Sequence, residues 1–227
     1  MIVDYSADKN GSIYVANGSA NHIIQYKSDH LTIISFMDAG VFSPYTFQRM
    51  TIDTNGTDYT CEYRTSYSSY SYSYSTYYRI QRYDSTNTIF VTTLFGETIC
   101  GTPPNQFCGC NDMFIDQRNL ICCSDSLNHI VINITTINPQ VTVVAGITNT
   151  PRSQLNQLNG PQDIFVDTTG ILFVFDSGNN RMLIFLAGSR YGVHLFTPSY
   201  NMYSYGSGGL NVASAGSAYT FWSSLQR

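Results

Sequence analysis

Four stretches of this chain repeat one another: "DKNGSIYVANGSANHIIQY" from Asp8, "DTNGTDYTCEYR" from Asp53 resuming at "YRIQRY" from Tyr78, "DQRNLICCSDSLNHIVI" from Asp116, and "DTTGILFVFDSGNNRMLIF" from Asp167. Each reads aspartate, a short polar turn with Gly or Asn, an apolar run, a second polar turn with Asn, and another apolar run. The aspartates lie 45, 63 and 51 residues apart. A unit recurring every 40 to 50 residues or so marks arrays and propellers, in which each unit buries its apolar faces against its neighbours. Runs such as "IYV", "IIQY", "FVF" and "MLIFL", set between Gly/Asn turns, read as strands joined in hairpins. No stretch shows a helical period.

A further strand per unit is visible in "LTIISFM" (31–37), "TIFVTTLF" (88–95), "QVTVVAG" (140–146) and "YGVHLF" (191–196). Four strands per unit, repeated radially, describe an all-β protein, a β-propeller. The units span about 2–40, 45–97, 111–146 and 160–197, followed by a Gly/Ser/Tyr-rich tail at 198–227 that reads as a linker or an edge-pairing strand.

The last unit, "PQDIFVDTTGILFVFDSGNNRMLIF" (161–185), resembles the NHL repeat: Pro, strand, Asp, Gly, strand, Asp-Ser-Gly-Asn-Asn-Arg, strand. Unit three keeps "SDSLNHIVI" without the Arg, and unit one has "NGSANHIIQY" with Asn17 in place of the family's Asp. The resemblance covers about residues 2–197 and implies an NHL-type propeller, a fold that usually has six blades. With four blades visible, three closures stay open: a compact four-bladed ring, a six-bladed ring whose other blades lie elsewhere or are too divergent to see, and an open arc whose strand edges recruit other chains.

Charged residues make up 11% of the chain, against about 25% in an average soluble protein. Only 11 Lys and Arg are present, in no stripe, and the net charge is −4, which excludes a run of phosphate contacts and so a nucleic-acid partner. The longest apolar runs, such as "ILFVF" (171–175), fall far short of the roughly 20 residues a bilayer-spanning helix needs. The opening "MIVDYSADKN" lacks the basic leader and apolar stretch of a secretory signal. Six cysteines and four Asn-x-Ser/Thr triplets nevertheless point outside the cell, so the chain reads as a mature or internal segment of an extracellular protein.

The six cysteines Cys61, Cys100, Cys108, Cys110, Cys122 and Cys123 allow fifteen complete pairings. In a propeller Cys61 lies near the connection "CGTPPNQFCGC" (100–110), and the adjacent Cys122 and Cys123 of one strand point to opposite faces. Disulfides pinning the connection between blades two and three are therefore expected. Zinc is disfavoured because no CxxC pair exists. The triplets sit at Asn10, Asn17, Asn55 and Asn133. The first three fall in turns, where Asn-Gly serves Asn10 and Asn55 with or without a sugar. Asn133 falls in a strand, where N-linked glycosylation needs an exposed face.

Asp8, Asp53, Asp116 and Asp167 occupy one repeat position, and Glu62, Asp125 and Asp176 roughly another, so architecture accounts for them. His22 and His129 belong to one recurring Asn-His-Ile turn, leaving His30 and His194 too scattered to define a catalytic site. Neither a Gly-x-Ser-x-Gly elbow nor a phosphate loop is present. Some NHL-like propellers are metal-dependent lyases or hydrolases, but their site residues find no match here. The reading that follows is a non-enzymatic extracellular structural or adhesive module needing no cofactor or metal, with protein partners or further copies of itself; the alternative that the resemblance implies is a propeller lyase or hydrolase with a divalent cation in the central channel.

One feature interrupts the repeat. "SYSSYSYSYSTYY" (66–78) stands where other units have a turn of four to six residues. Alternating Tyr and Ser fit the two-residue period of a strand, so the tract is expected to lengthen the hairpin of blade two, with Tyr70, Tyr72 and Tyr74 on one face. Together with Tyr67 and Tyr77 these tyrosines are the candidate partner-binding surface, since Tyr supplies contact area at little entropic cost. The alternative is a mobile polar loop.

Overall fold

The computed structural model describes residues 2–8, 10–17, 22–27, 33–38, 44–84, 90–104, 106–198, 209–212 and 218–221. Blade one comprises β1 (Ile2–Ala7), β2 (Ile13–Asn17), β3 (His22–Tyr26) and β4 (Ile33–Asp38); blade two β5 (Thr46–Ile52), β6 (Asp58–Ser68), β7 (Ser73–Asp84) and β8 (Phe90–Ile99). Blade three comprises β9 (Met113–Ile115), β10 (Leu120–Asp125), β11 (Ile130–Thr135) and β12 (Val141–Gly146); blade four β13 (Pro161–Val166), β14 (Leu172–Asp176), β15 (Arg181–Phe185) and β16 (Val193–Phe196). Within the tail, β17 (Gly209–Val212) pairs with β18 (Ala218–Phe221). Among the described residues the only helix is a 3-10 turn at Ser177–Asn179.

Each blade is an antiparallel meander. The first strands pack side by side in chain order, β1 on β5, β5 on β9, β9 on β13, and β13 on β17. This is the expected propeller, an all-β fold of four four-stranded sheets around a channel. Among the described residues no comparable packing joins β1 to β13 or β17.

The recurring aspartate makes the recurring turn. In each blade its Oδ1 accepts two backbone N–H groups, two and four residues on. For Asp8 these belong to Asn10 and Ser12 at 2.8 and 2.9 Å, for Asp53 to Asn55 and Thr57 at 2.8 and 2.9 Å. For Asp116 they belong to Arg118 and Leu120 at 2.8 and 3.0 Å, for Asp167 to Thr169 and Ile171 at 2.9 and 2.8 Å. The third residue after each aspartate returns its N–H to the aspartate carbonyl and has positive φ: Gly11 (80°), Gly56 (82°), Asn119 (59°) and Gly170 (86°). Only Gly, or Asn at modest cost, takes that conformation readily.

Strand alternation splits blades two and three each between two interfaces. Blade two gives Phe47, Met50, Ile52 and Tyr83 to a cluster with Tyr14, Ala16 and Ile23 of blade one. Its other face gives Tyr59, Cys61, Ile80 and Leu94 to a cluster with Ile121, Cys123, Ile130, Ile132 and Ile134 of blade three. Blade three turns Cys122 and Val131 toward Ile164, Val174, Leu183 and Phe185 of blade four. The core is thus three slabs between sheets, each fully buried Ile or Leu contributing about 1.5–3 kcal/mol.

Candidate interaction hairpin and central channel

The Ser/Tyr tract is a hairpin. β6 and β7 pair continuously from Asp58↔Tyr83 to Ser68↔Ser73, through 11- and 12-residue strands, whereas β2, β3, β14 and β15 have five residues each. Directly paired residues share a face, and one face carries Tyr63 with Tyr78 and Tyr67 with Tyr74, their ring centroids 6.3 and 5.0 Å apart. Tyr78 stands 5.9 Å from Phe107, itself 5.2 Å from Phe95, so the hairpin's aromatic row continues into the slab between blades two and three. On the opposite face Arg79 pairs with Glu62 at 2.7 Å and lies 3.7 Å from the Tyr45 ring centroid, while Arg64 lies 4.0 Å from that of Tyr77. Both faces therefore anchor the extension to the blade.

The expected side-chain pattern needs correcting at two places. Residues 69–72 form the turn, so Tyr70 and Tyr72 sit at the tip and not on a strand face with Tyr74. The turn is closed by Ser71 N–H donating to Ser68 Oγ at 3.2 Å and by a 2.7 Å hydroxyl bond between Ser71 and Ser73, with Tyr72 left-handed at φ 50°. Tyr77 is half-buried beneath Arg64, on the face away from Tyr67 and Tyr74. Tyr70 and Tyr72 are 97% and 83% exposed, Tyr74 and Tyr67 74% and 51%, which makes these four the accessible set.

Disulfides do pin the connection between blades two and three. Cys100 bonds Cys108 within it, and Cys110 bonds Cys123 of β10. Cys61 and Cys122 are free and buried, contrary to the expectation that all six pair. The reason is facial: Cys122 and Cys123 point into different slabs, and Cys61 instead donates to Gln48 Oε1 at 3.5 Å. Burial pushes both thiols well above the usual cysteine range, so neither is a ready nucleophile.

Among the sequons, Asn10 and Asn55 are exposed in the first turns of blades one and two, and Asn17, ending β2, is half-buried. Asn133 is half-buried, with its Oδ1 enclosed and unpartnered, facing blade four. As a residue it is no more enclosed than the half-buried Asn17.

In blades three and four the second acidic position clasps the segment that precedes the blade. Asp125 accepts Cys108 N–H at 3.0 Å and Asn128 Nδ2 at 2.7 Å; Asp176 accepts Asn159 N–H at 2.7 Å and Arg181 Nε at 2.7 Å. Glu62 binds Thr60, Tyr83 and Arg79 inside its own blade. His129 Nδ1 accepts Gly160 N–H at 3.0 Å, and burial lowers its pKa, so the ring is a neutral structural acceptor. His194 is exposed and bonds Thr197, His22 lies on β3, and His30 lies outside the described residues.

A fourth repeat position escaped the sequence reading. Four residues before each turn aspartate stand Asp4, Arg49 and Asp163, on the channel-side strands β1, β5 and β13, and Asp112, immediately before β9. Asp4 and Asp112 line a channel cavity of about 460 Å³ with Met50, Ile115 and Phe165. Asp4 Oδ2 accepts Met50 N–H of β5 at 2.8 Å and Asp112 Oδ2 accepts Ile164 N–H of β13 at 2.9 Å, each stitching one blade to the next. Burial raises the pKa of Asp4 to about 6 against the pull of these bonds and Arg49, and raises Asp163 to about 7, helped by Asp112. Asp112 is raised by burial too. The site can therefore carry protons near neutral pH. Among the described residues no three His, Cys, Asp or Glu side chains are grouped to hold a metal ion. The constant offset of four residues was the available signal.

No protein-family model and no curated protein sequence matches the chain. Solved structures do. Virginiamycin B lyase from Staphylococcus aureus superposes with a TM-score of 0.57 at 12% identity over 99% of this chain and 85% of that one. A streptogramin B lyase gives 0.56 at 11% identity over 100% and 83%. A chain of a nidogen/laminin complex gives 0.55 at 14% identity over 82% and 59%. Enzymes and binding proteins thus share this architecture, and what the likeness establishes for the present chain is its fold: it is a β-propeller.

Proposed function

We propose that this chain is a non-enzymatic extracellular interaction module, structural or adhesive, that docks protein partners or further copies of itself through the blade-two hairpin. It fits a repeating subunit of a filament or matrix, with N-glycans at Asn10, Asn17, Asn55 and Asn133. The observation that carries this reading is the ordered hairpin presenting Tyr67, Tyr70, Tyr72 and Tyr74 to solvent on an anchored support. Rigid exposed tyrosines lose little entropy on binding. Two disulfides in the adjoining connection suit an oxidising compartment, and no described helix is long and apolar enough to cross a membrane.

Replacing residues 66–75 by an Asn-Gly turn tests the reading. Sedimentation velocity is expected to show concentration-dependent association of the full chain and its loss in the shortened one, with circular dichroism unchanged. Equal sedimentation of the two proteins at all concentrations removes the self-association limb.

The channel carboxylates favour a second reading, a propeller lyase or hydrolase using a divalent cation. Their spacing among the described residues speaks against a shared ion. Stoichiometric calcium or zinc in purified protein would reverse that preference.

A further inference from the structure

We propose that Tyr67 and Tyr74 form a modification site, at which a haem peroxidase with hydrogen peroxide couples the two rings into a dityrosine bridging the hairpin of blade two. The inference stands on the geometry of the pair and does not rest on what the hairpin docks.

The register of the hairpin puts this pair where facing side chains come nearest. The carbonyl of Thr76 accepts the N–H of Cys100 at 2.9 Å, so the backbone polar groups of Thr76 point toward β8 and away from β6. These groups reverse direction at each residue of a strand, so Tyr74, two residues earlier, also turns its N–H and C=O away from β6. β6 and β7 keep one register through this stretch. Tyr67 and Tyr74 are therefore a non-hydrogen-bonded pair, in which Cα atoms lie about 4.5 Å apart and side chains approach most closely. The rings agree: their centroids stand 5.0 Å apart at an interplanar angle of 47°, side by side and not splayed. Directly bonded rings stand only slightly closer, and they too are twisted out of one plane.

Both rings are open to an oxidant, Tyr74 and Tyr67 being 74% and 51% exposed. Each phenol gives up one electron and its hydroxyl proton. The unpaired electron of the resulting phenoxyl radical spreads onto the ring carbons beside the oxygen, and one such carbon of each ring joins the other. Each joined carbon then loses its proton, and each oxygen regains one, which restores both phenols. In sum one carbon–carbon bond forms and two hydrogens leave, while hydrogen peroxide takes up the two electrons and two protons and becomes two waters. Tyr70 and Tyr72 are more exposed still, but among the described residues neither pairs with another ring. Tyr63 and Tyr78 pair at 6.3 Å in half-buried positions, with Tyr78 against Phe107. Within the hairpin, close ring contact and access coincide at Tyr67 and Tyr74.

Treating the full chain with a haem peroxidase and hydrogen peroxide, then mapping the tryptic peptide Thr65 to Arg79 by mass spectrometry, tests this. At a chain concentration of about 10 μM, coupling within the chain is expected to exceed coupling between chains by on the order of a hundredfold, because tethered partners sit at millimolar effective concentration. The peptide should lose two hydrogens and show dityrosine fluorescence. Fragment ions should place the link at Tyr67 and Tyr74, and chymotryptic cuts after Tyr70 or Tyr72 should leave the pieces joined. Tyr74→Phe, which keeps the ring and loses the hydroxyl, should abolish the bridge with circular dichroism unchanged, whereas Tyr70→Phe/Tyr72→Phe should retain it. In urea the links should scatter over the tyrosines of the tract. A peptide that keeps all its hydrogens, a link placed at other tyrosines, or the same bridge in equal yield in urea overturns the proposal. Links found only between chains overturn it too, and leave the docking role of the hairpin standing.

Discussion

The ring of Tyr67 stands 5.0 Å from that of Tyr74 across the hairpin, at an interplanar angle of 47°. The pair lies beyond the last anchored tyrosines, Tyr63 and Tyr78, and braces the exposed end. Replacing both rings by Ala is expected to loosen that end by about 0.5–1.5 kcal/mol while leaving the melting temperature of the whole unchanged. Limited proteolysis reads the effect. Cleavage between Ser66 and Ser75 should be slow in the wild type and several-fold faster in the variant.

The turn aspartates differ in burial, and their removal is expected to differ accordingly. Asp53 is 6% exposed, and Asp53→Ala strands two backbone donors, at about 1–3 kcal/mol. Asp167 makes the same bonds in a more open setting, where water replaces them, so Asp167→Ala should cost no more than about 1 kcal/mol. Urea unfolding of the two variants gives the comparison.

Acidity should strengthen the fold between pH 8 and pH 5. Asp58 is fully buried with neither carboxylate oxygen partnered, and burial, followed by the charge of Asp53, raises its pKa to about 8. Asp163 and Asp4 are raised to about 7 and about 6. In the unfolded chain all three ionise near pH 4. Stability from these groups is therefore complete below about pH 4 and is lost as pH rises toward 8, each pKa unit being worth about 1.4 kcal/mol. Thermal denaturation should show a higher melting temperature at pH 5 than at pH 8. Asp58→Asn should narrow that gap and exceed the wild type in stability at pH 8.

Two thiols should react per denatured, unreduced chain, and six after reduction. Reducing the bridge between Cys110 and Cys123, which closes a separation of 13 residues, is expected to cost about 3 kcal/mol by chain entropy. A drop in melting temperature with reductant measures it.

Much of this architecture was legible because its residues answer to local chemistry. An aspartate that must accept two N–H groups, followed three residues on by Gly or Asn, writes the same signature into every blade. The Tyr/Ser alternation likewise declared a strand pair. Its register did not show, because nothing in the tract says which four residues turn, and so Tyr70 and Tyr72 fell on the wrong element. Cys61 and Cys122 were misjudged because pairing depends on which slab a side chain enters, a property of packed sheets. Asp4, Arg49, Asp112 and Asp163 went unnoticed as a set because they differ in residue type, and the bonds of Asp4 and Asp112 are made to the next blade's backbone, which the local sequence does not show. Asp58 carries no local mark at all: its consequence comes from being enclosed.

The hairpin extends one blade of four among the described residues, so it breaks the rotational likeness of the repeats and gives the molecule a single handle. A subunit with one handle is univalent through it. Gripping an unlike surface, copies line up head to tail in a row or a closed circle; gripping its twin, each makes a two-fold pair and growth stops there. The asymmetry of one insertion would therefore restrict any assembly made through that element to one dimension.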